Sequence, residues 1–128
     1  MKILIADDYS ELANLTKKYI ETNSKYKIFD VVTSSADQLR VMEEEDIDII
    51  ISDDMRKNED ISGMDIILKC EEEKRKEKFI LITGTERSSL VNRETRELPS
   101  NVIGYLKKPI DWKMLIDVLQ KAEEKIYA

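Results

Sequence analysis

Asp7-Asp8, Asp53, Thr83 and Lys108-Pro109 each stand at or just past the end of an apolar, strand-like run: KILIA, DIII, FILI and VIGYL. In an open α/β sheet the carboxyl ends of the strands form one edge, and ligands bind there. Three carboxylates, a hydroxyl and an ammonium, far apart in sequence, are therefore expected to meet in one pocket. Asp7, Asp8 and Asp53 offer oxygen ligands of the kind magnesium takes. Held close without a cation, three carboxylates repel one another, and a divalent ion keeps Asp53 ionised. An ionised carboxylate can attack phosphorus and form an acyl phosphate. Charge then spreads over the phosphoryl oxygens, where the metal, Lys108 and the Thr83 hydroxyl can each meet one. The set suits a magnesium-dependent phosphoryl acceptor.

Five alternations of strand and helix must position these groups. The expected strands are Lys2–Ala6, Lys27–Thr33, Ile47–Ser52, Phe79–Thr83 and Val102–Leu106. A first helix is expected from Ser10, read as its cap, with Leu12, Leu15, Tyr19 and Ile20 inward. A second follows Ser35, with Ala36, Leu39 and Met42 inward. After the polar segment Asp54–Ser62 comes a third helix over about Met64–Lys76. A fourth, weakly apolar helix is expected over Glu86–Glu97. A fifth follows Asp111, with Leu115, Ile116, Leu119, Ala122 and Ile126 as its inner stripe. Alternating β and α with short connections implies a parallel, doubly wound α/β sheet. The run of isoleucines in the third strand fits a strand covered on both faces.

Composition narrows the function. The 128 residues suit one domain, and residues 1–128 show no internal boundary, repeat or low-complexity segment. The net charge is −6 with both signs interspersed, which argues against a nucleic-acid phosphate surface. No apolar run approaches the roughly 20 residues that span a bilayer. The acids after MKILIA come too early for a signal peptide, so a cytoplasmic location is expected. The chain has no histidine, so a phosphoryl group arriving by transfer comes from another molecule. The single cysteine, Cys70, reads as a small buried hydrophobe.

Each short string alone has an ordinary reading: Asp-Asp as a turn or cap, Lys-Pro as punctuation, a strand-ending Thr as a capping hydroxyl. Their conjunction at the ends of the first, third, fourth and fifth strands is specific. With the strings ILIADD, DIIISDDM, LITGTE and GYLKKP, the chain resembles the receiver domain of two-component response regulators, the CheY-like family, over essentially its whole length. The resemblance implies a five-stranded sheet in the order 2-1-3-4-5 flanked by five helices, an order for which the family is itself a standard example. It implies that Asp53 is the phosphoacceptor, that Asp8 binds magnesium directly and Asp7 through water, and that the Met55 backbone carbonyl completes the metal site. Thr83 is implied as the switch hydroxyl, Tyr105 as the aromatic that turns with it, Lys108 as the phosphoryl-binding lysine and Lys108–Pro109 as a cis bond. The implied donor is a histidine kinase or a phosphotransfer protein. The implied output is contact with a downstream protein through the fourth helix, fifth strand and fifth helix, with no direct contact to nucleic acid or membrane. The chain would assist its own phosphorylation and slow dephosphorylation rather than act as an enzyme on a separate substrate.

Two departures stand out. Lys57 replaces the family's usual proline four residues after the acceptor, and the loop to the next glycine is about two residues longer than usual. Its charges, Arg56, Lys57, Glu59 and Asp60, are read as a surface insertion with scope to alter docking or phosphate lifetime. These departures motivate the alternative of a pseudo-receiver, an interaction module independent of phosphorylation. A phosphatase using an Asp-x-Asp string is disfavoured, because the string here is Asp7-Asp8-Tyr9. Asp54, the neighbour of Asp53, is expected on the opposite face and in solvent. Trp112 is read as a packing or partner-facing aromatic, and Met114 and Val118 as residues off the inner stripe.

Overall fold

The computed structural model describes all 128 residues. The strands are β1 (Ile3–Ala6), β2 (Ile28–Val32), β3 (Ile49–Ser52), β4 (Lys78–Thr83) and β5 (Val102–Lys107). The helices are α1 (Ser10–Asn23), α2 (Ser35–Glu44), α3 (Gly63–Glu72) and α4 (Trp112–Ile126). The sheet is parallel throughout, in the order β2-β1-β3-β4-β5.

Successive strand residues point to opposite faces, so the apolar runs feed two cores. Ile3, Ile5, Ile49, Ile51, Ile80 and Ile82 pack with Ala13 and Ile20 of α1 and with Leu115, Leu119 and Ala122 of α4. Leu4, Ala6, Ile50, Phe79 and Leu81 pack on the other side with Val41 and Met42 of α2 and with Ile66, Ile67 and Cys70 of α3. Val118 joins the first of these cores at its margin. A Cβ on Gly104 would stand 2.5 Å from Val118 Cγ1, so β5 and α4 meet here without room for a side chain. Trp112 packs on Tyr19 of α1 with ring centroids 5.2 Å apart.

Caps set the helix starts. Ser62 and Asp65 form a reciprocal capping box at α3, and the Asp111 carboxylate accepts from the Lys113 and Met114 N–H groups at α4. Ser34, rather than Ser35, caps α2. Ser10 lies within α1 instead of capping it, and the preceding Tyr9 N–H is taken by Asp7 Oδ1 at 2.9 Å. The inner faces of α1 and α2 are rotated from the expected ones. Leu15, Ala36 and Leu39 are exposed, while Ala13, Thr16, Ser35, Gln38 and Val41 are buried. Polar and small residues line these faces, so apolar spacing alone misplaced them.

The expected fourth helix does not form; four helices flank the sheet instead of five. Residues 86–100 hold a single 3-10 turn, Arg87–Ser89, and then run irregularly. The cause is local. The Asn92 side chain accepts from the Glu94 and Thr95 N–H groups, and its backbone exchanges bonds with Arg96 and Glu97. Such side-chain-to-backbone bonds offer the chain an alternative to the helical ladder. Arg96 sits at φ 61°, which closes this turn and ends any helical path. Leu90 still packs on the core formed by β4 and α3.

Candidate functional site

Strand register brings the functional residues level. Ala6 lies opposite Ser52, Ser52 opposite Leu81, and Thr83 opposite Lys107. One step past the β1–β3 pair, Asp7 faces Asp53. The same register carried two residues beyond Ser52 sets Asp54 against Thr83. Oxygens of Asp7, Asp8 and Asp53 all lie within 4.8 Å of one another, a grouping that could hold a metal ion. Asp53 is only 3% exposed. Burial pushes its carboxyl up, to about 7, with Arg56 pulling it down and the Asp7 charge adding to the rise.

The Asp53 carboxylate has two ordered partners. Oδ2 accepts from the Asp8 backbone N–H at 3.3 Å. Oδ1 accepts from Arg56 Nε at 3.0 Å. Arg56 is thus no surface charge of an inserted loop; its side chain is 1% exposed. Its Nη1 donates to Ser35 Oγ at 3.0 Å and its Nη2 to Ser52 Oγ at 3.3 Å. The rest of the loop is also tied down. Lys57 N–H donates to Asp8 Oδ2 at 2.8 Å, and Glu59 accepts from the Ser35 N–H at 2.8 Å. The loop returns at Gly63, where a Cβ would stand 2.1 Å from the Asp53 carbonyl oxygen. Glycine is required there because α3 begins against the Asp53 backbone itself.

Lys108 Nζ lies 3.8 Å from Asp7 Oδ2, so the ammonium reaches the carboxylate cluster through Asp7. The Lys108–Pro109 bond is cis, as the resemblance implies. The Met55 side chain is 71% exposed and takes no part in the cluster.

Thr83 is fully buried, and its hydroxyl points to Asp54, not to Asp53. Thr83 Oγ1 donates to Asp54 Oδ1 at 2.5 Å, and Thr85 Oγ1 donates to Asp54 Oδ2 at 2.7 Å. The Tyr105 hydroxyl donates to the Thr85 carbonyl at 3.1 Å. Asp54 is therefore buried, contrary to the expected solvated side chain. The strand alternation holds, and Asp54 does face away from Asp53. That opposite side, however, is occupied by the end of β4 rather than by water. The paired threonines of LITGTE are the signal that a buried acceptor of hydrogen bonds stands nearby.

The three carboxylates offer oxygen atoms that could hold a cation, with the Arg56 guanidinium and the Lys108 ammonium at their edges. The family model for the response regulator receiver domain matches residues 3–120. No curated protein matches the chain. Among solved structures, a CheY-like receiver domain protein from Methanospirillum hungatei is 21% identical with a TM-score of 0.77, over 98% of this chain and 95% of that one. The response regulatory domain of mrkE from Klebsiella pneumoniae is 19% identical with a TM-score of 0.80, over 99% and 98%. The receiver domain of a LuxO-type repressor protein from Vibrio parahaemolyticus is 23% identical with a TM-score of 0.80, over 98% and 92%. With its sheet order, its carboxylate cluster and this match, the chain belongs to the response regulator receiver domain family.

Proposed function

We propose that this receiver domain is a phosphorylation switch in which Asp53 accepts a phosphoryl group from a histidine kinase or a phosphotransfer protein. The observation that carries the reading is the buried Asp53 carboxylate, which shares a cluster with Asp7 and Asp8 at the strand ends. The donor set is oxygen only, which fits magnesium. Asp7, Asp8 and Asp53 would hold the ion, with the Met55 carbonyl as a further ligand. When bound, magnesium offsets the mutual repulsion of the carboxylates and the charge of an incoming phosphoryl group.

An Asp53 oxygen forms the new bond to phosphorus as the phosphorus–nitrogen bond of the donor phosphohistidine breaks. The electron pair stays on the departing imidazole. Lys108, held only by a 3.8 Å contact with Asp7, is free to turn to a phosphoryl oxygen. Thr83 exchanges Asp54 for the phosphoryl group, and Tyr105 responds through Thr85. Both moves alter the surface formed by residues 86–100, β5 and α4, through which the signal passes to a protein partner. This switch acts by biasing two arrangements of one fold. The chain turns over no separate substrate.

The test is incubation with acetyl phosphate and magnesium, read by intact mass. One phosphoryl adduct is expected in the unaltered chain and none in Asp53→Asn. An adduct that persists in Asp53→Asn removes Asp53 as acceptor. A chain that takes no phosphoryl group under any donor is an interaction module instead.

A further inference from the structure

We propose that Arg56 is a built-in counterion that favours the free Asp53 carboxylate over its phosphorylated form, and so shortens the life of the aspartyl phosphate. The inference rests on the phosphoacceptor role proposed above for Asp53. Its ground is a fully buried ion pair on the reacting group: Arg56 Nε stands 3.0 Å from Asp53 Oδ1. The guanidinium is also fixed in place. Ser35 Oγ and Ser52 Oγ accept from its two Nη groups. Those hydroxyls are themselves committed, Ser35 donating to the Ile61 carbonyl at 2.7 Å and Ser52 to the Asp53 carbonyl at 2.7 Å. The planar fork thus has all three nitrogens occupied and cannot follow charge that moves outward.

That geometry gives the effect its sign. With magnesium bound, the unphosphorylated Asp53 carboxylate would be ionised, and its negative charge would sit against Arg56. On phosphorylation one carboxylate oxygen becomes the bridging oxygen of an acyl phosphate, and the negative charge moves to the phosphoryl oxygens beyond it. The fixed guanidinium loses most of its charge-assisted bond, while the mobile Lys108 gains one. In hydrolysis, water attacks phosphorus and the Asp53 oxygen–phosphorus bond breaks. The electron pair returns to the carboxylate, and inorganic phosphate leaves with the water's oxygen. Arg56 stabilises the charge that develops on this departing carboxylate. It therefore opposes acquisition and assists loss.

The purified full chain carries the test, at saturating magnesium so that metal occupancy is not the variable. The chain is phosphorylated with acetyl phosphate, the donor is removed, and the adduct is followed by intact mass. Arg56→Gln is expected to lose phosphate on the order of tenfold more slowly, the equivalent of one charge-assisted hydrogen bond. Arg56→Lys retains a cation without the fork and should fall between the two. An Arg56→Gln chain that loses phosphate as fast as the unaltered one, or faster, overturns the inference, because loss of mere loop support would expose the adduct to water. Should Arg56→Gln not fold, Arg56→Lys decides, and an unchanged lifetime there also overturns it. An unaltered chain that never acquires phosphate refutes the acceptor role itself, a result distinct from labelling with a lifetime indifferent to residue 56.

Discussion

Asp54 and Thr83 make the most consequential pair of side chains outside the carboxylate cluster. A buried carboxylate holding two threonine hydroxyls is bound by charge-assisted bonds, each worth about 1.5–3 kcal/mol. Asp54→Ala should therefore lower unfolding stability by about 3 kcal/mol, and Thr83→Val by less, because Thr85 keeps its bond. The double variant should fall short of the sum by about 1 kcal/mol or more. Urea unfolding of the four proteins measures this coupling, and strict additivity would show that the 2.5 Å contact carries no energy. Under the proposed switch, Thr83 would serve a phosphoryl group only by leaving Asp54, so the arrangement described here would resist the phosphorylated one. Asp54 was misplaced in the sequence because alternation tells which way a side chain points but not what waits there. Arg56 escaped for a related reason: nothing in the string DDMRKNED distinguishes an arginine that reaches outward from one that folds back under its own loop.

At the scale of elements, strands were the most legible. Runs such as ILIA and IIIS admit only burial on both faces, and the two cores follow from their alternation. The carboxylate cluster was legible with them, since it sits where those runs end. The span 86–97 was not. Its alternating charges mimic a solvated helix, whereas its course is decided by one asparagine side chain and the positive φ of Arg96. The junction of β5 and α4 offers a direct test of packing. Gly104→Ala pushes a methyl group into Val118 and Ile80, which should cost about 1–3 kcal/mol. Val118→Ala combined with Gly104→Ala should cost less than the two changes summed, since the shortened side chain vacates the space. Thermal melts of the single and double variants check it; a double variant as unstable as the sum would place the strain elsewhere.

For the whole molecule, two conditions in solution should move stability. The first is alkali. Burial raises the Cys70 thiol to about 11, and burial together with Glu123 raises Tyr26 to about 12. Their ordinary values are 9.0 and 10.0, so the unfolded chain loses these protons first. Both groups favour the folded state fully below pH 9, and that contribution falls away as pH rises toward the folded values. Stability measured by urea should decline across this window, with a shallower slope in Cys70→Ala. The second is magnesium. An ion that binds the folded cluster alone stabilises it by mass action, by about 2.7 kcal/mol at a hundredfold excess over Kd. The melting temperature should rise with magnesium in the unaltered chain and much less in Asp8→Asn. An equal rise in both would locate the ion away from Asp7, Asp8 and Asp53. No helix is long and apolar enough to cross a membrane.

If the proposed output face is right, the irregular course of residues 86–100 bears on how a partner would be recognised. A surface helix presents a ready-made ridge, and binding it costs little ordering. Here the corresponding stretch has one 3-10 turn, and Asn92 supplies much of its local bonding. Fixing further residues costs roughly 1–2 kcal/mol each in backbone entropy. A protein that seats on this surface and reshapes it must recover that cost from its contacts. Its affinity would then be modest for the area it covers, its heat-capacity change large, and its dissociation fast enough for a signal that is meant to end.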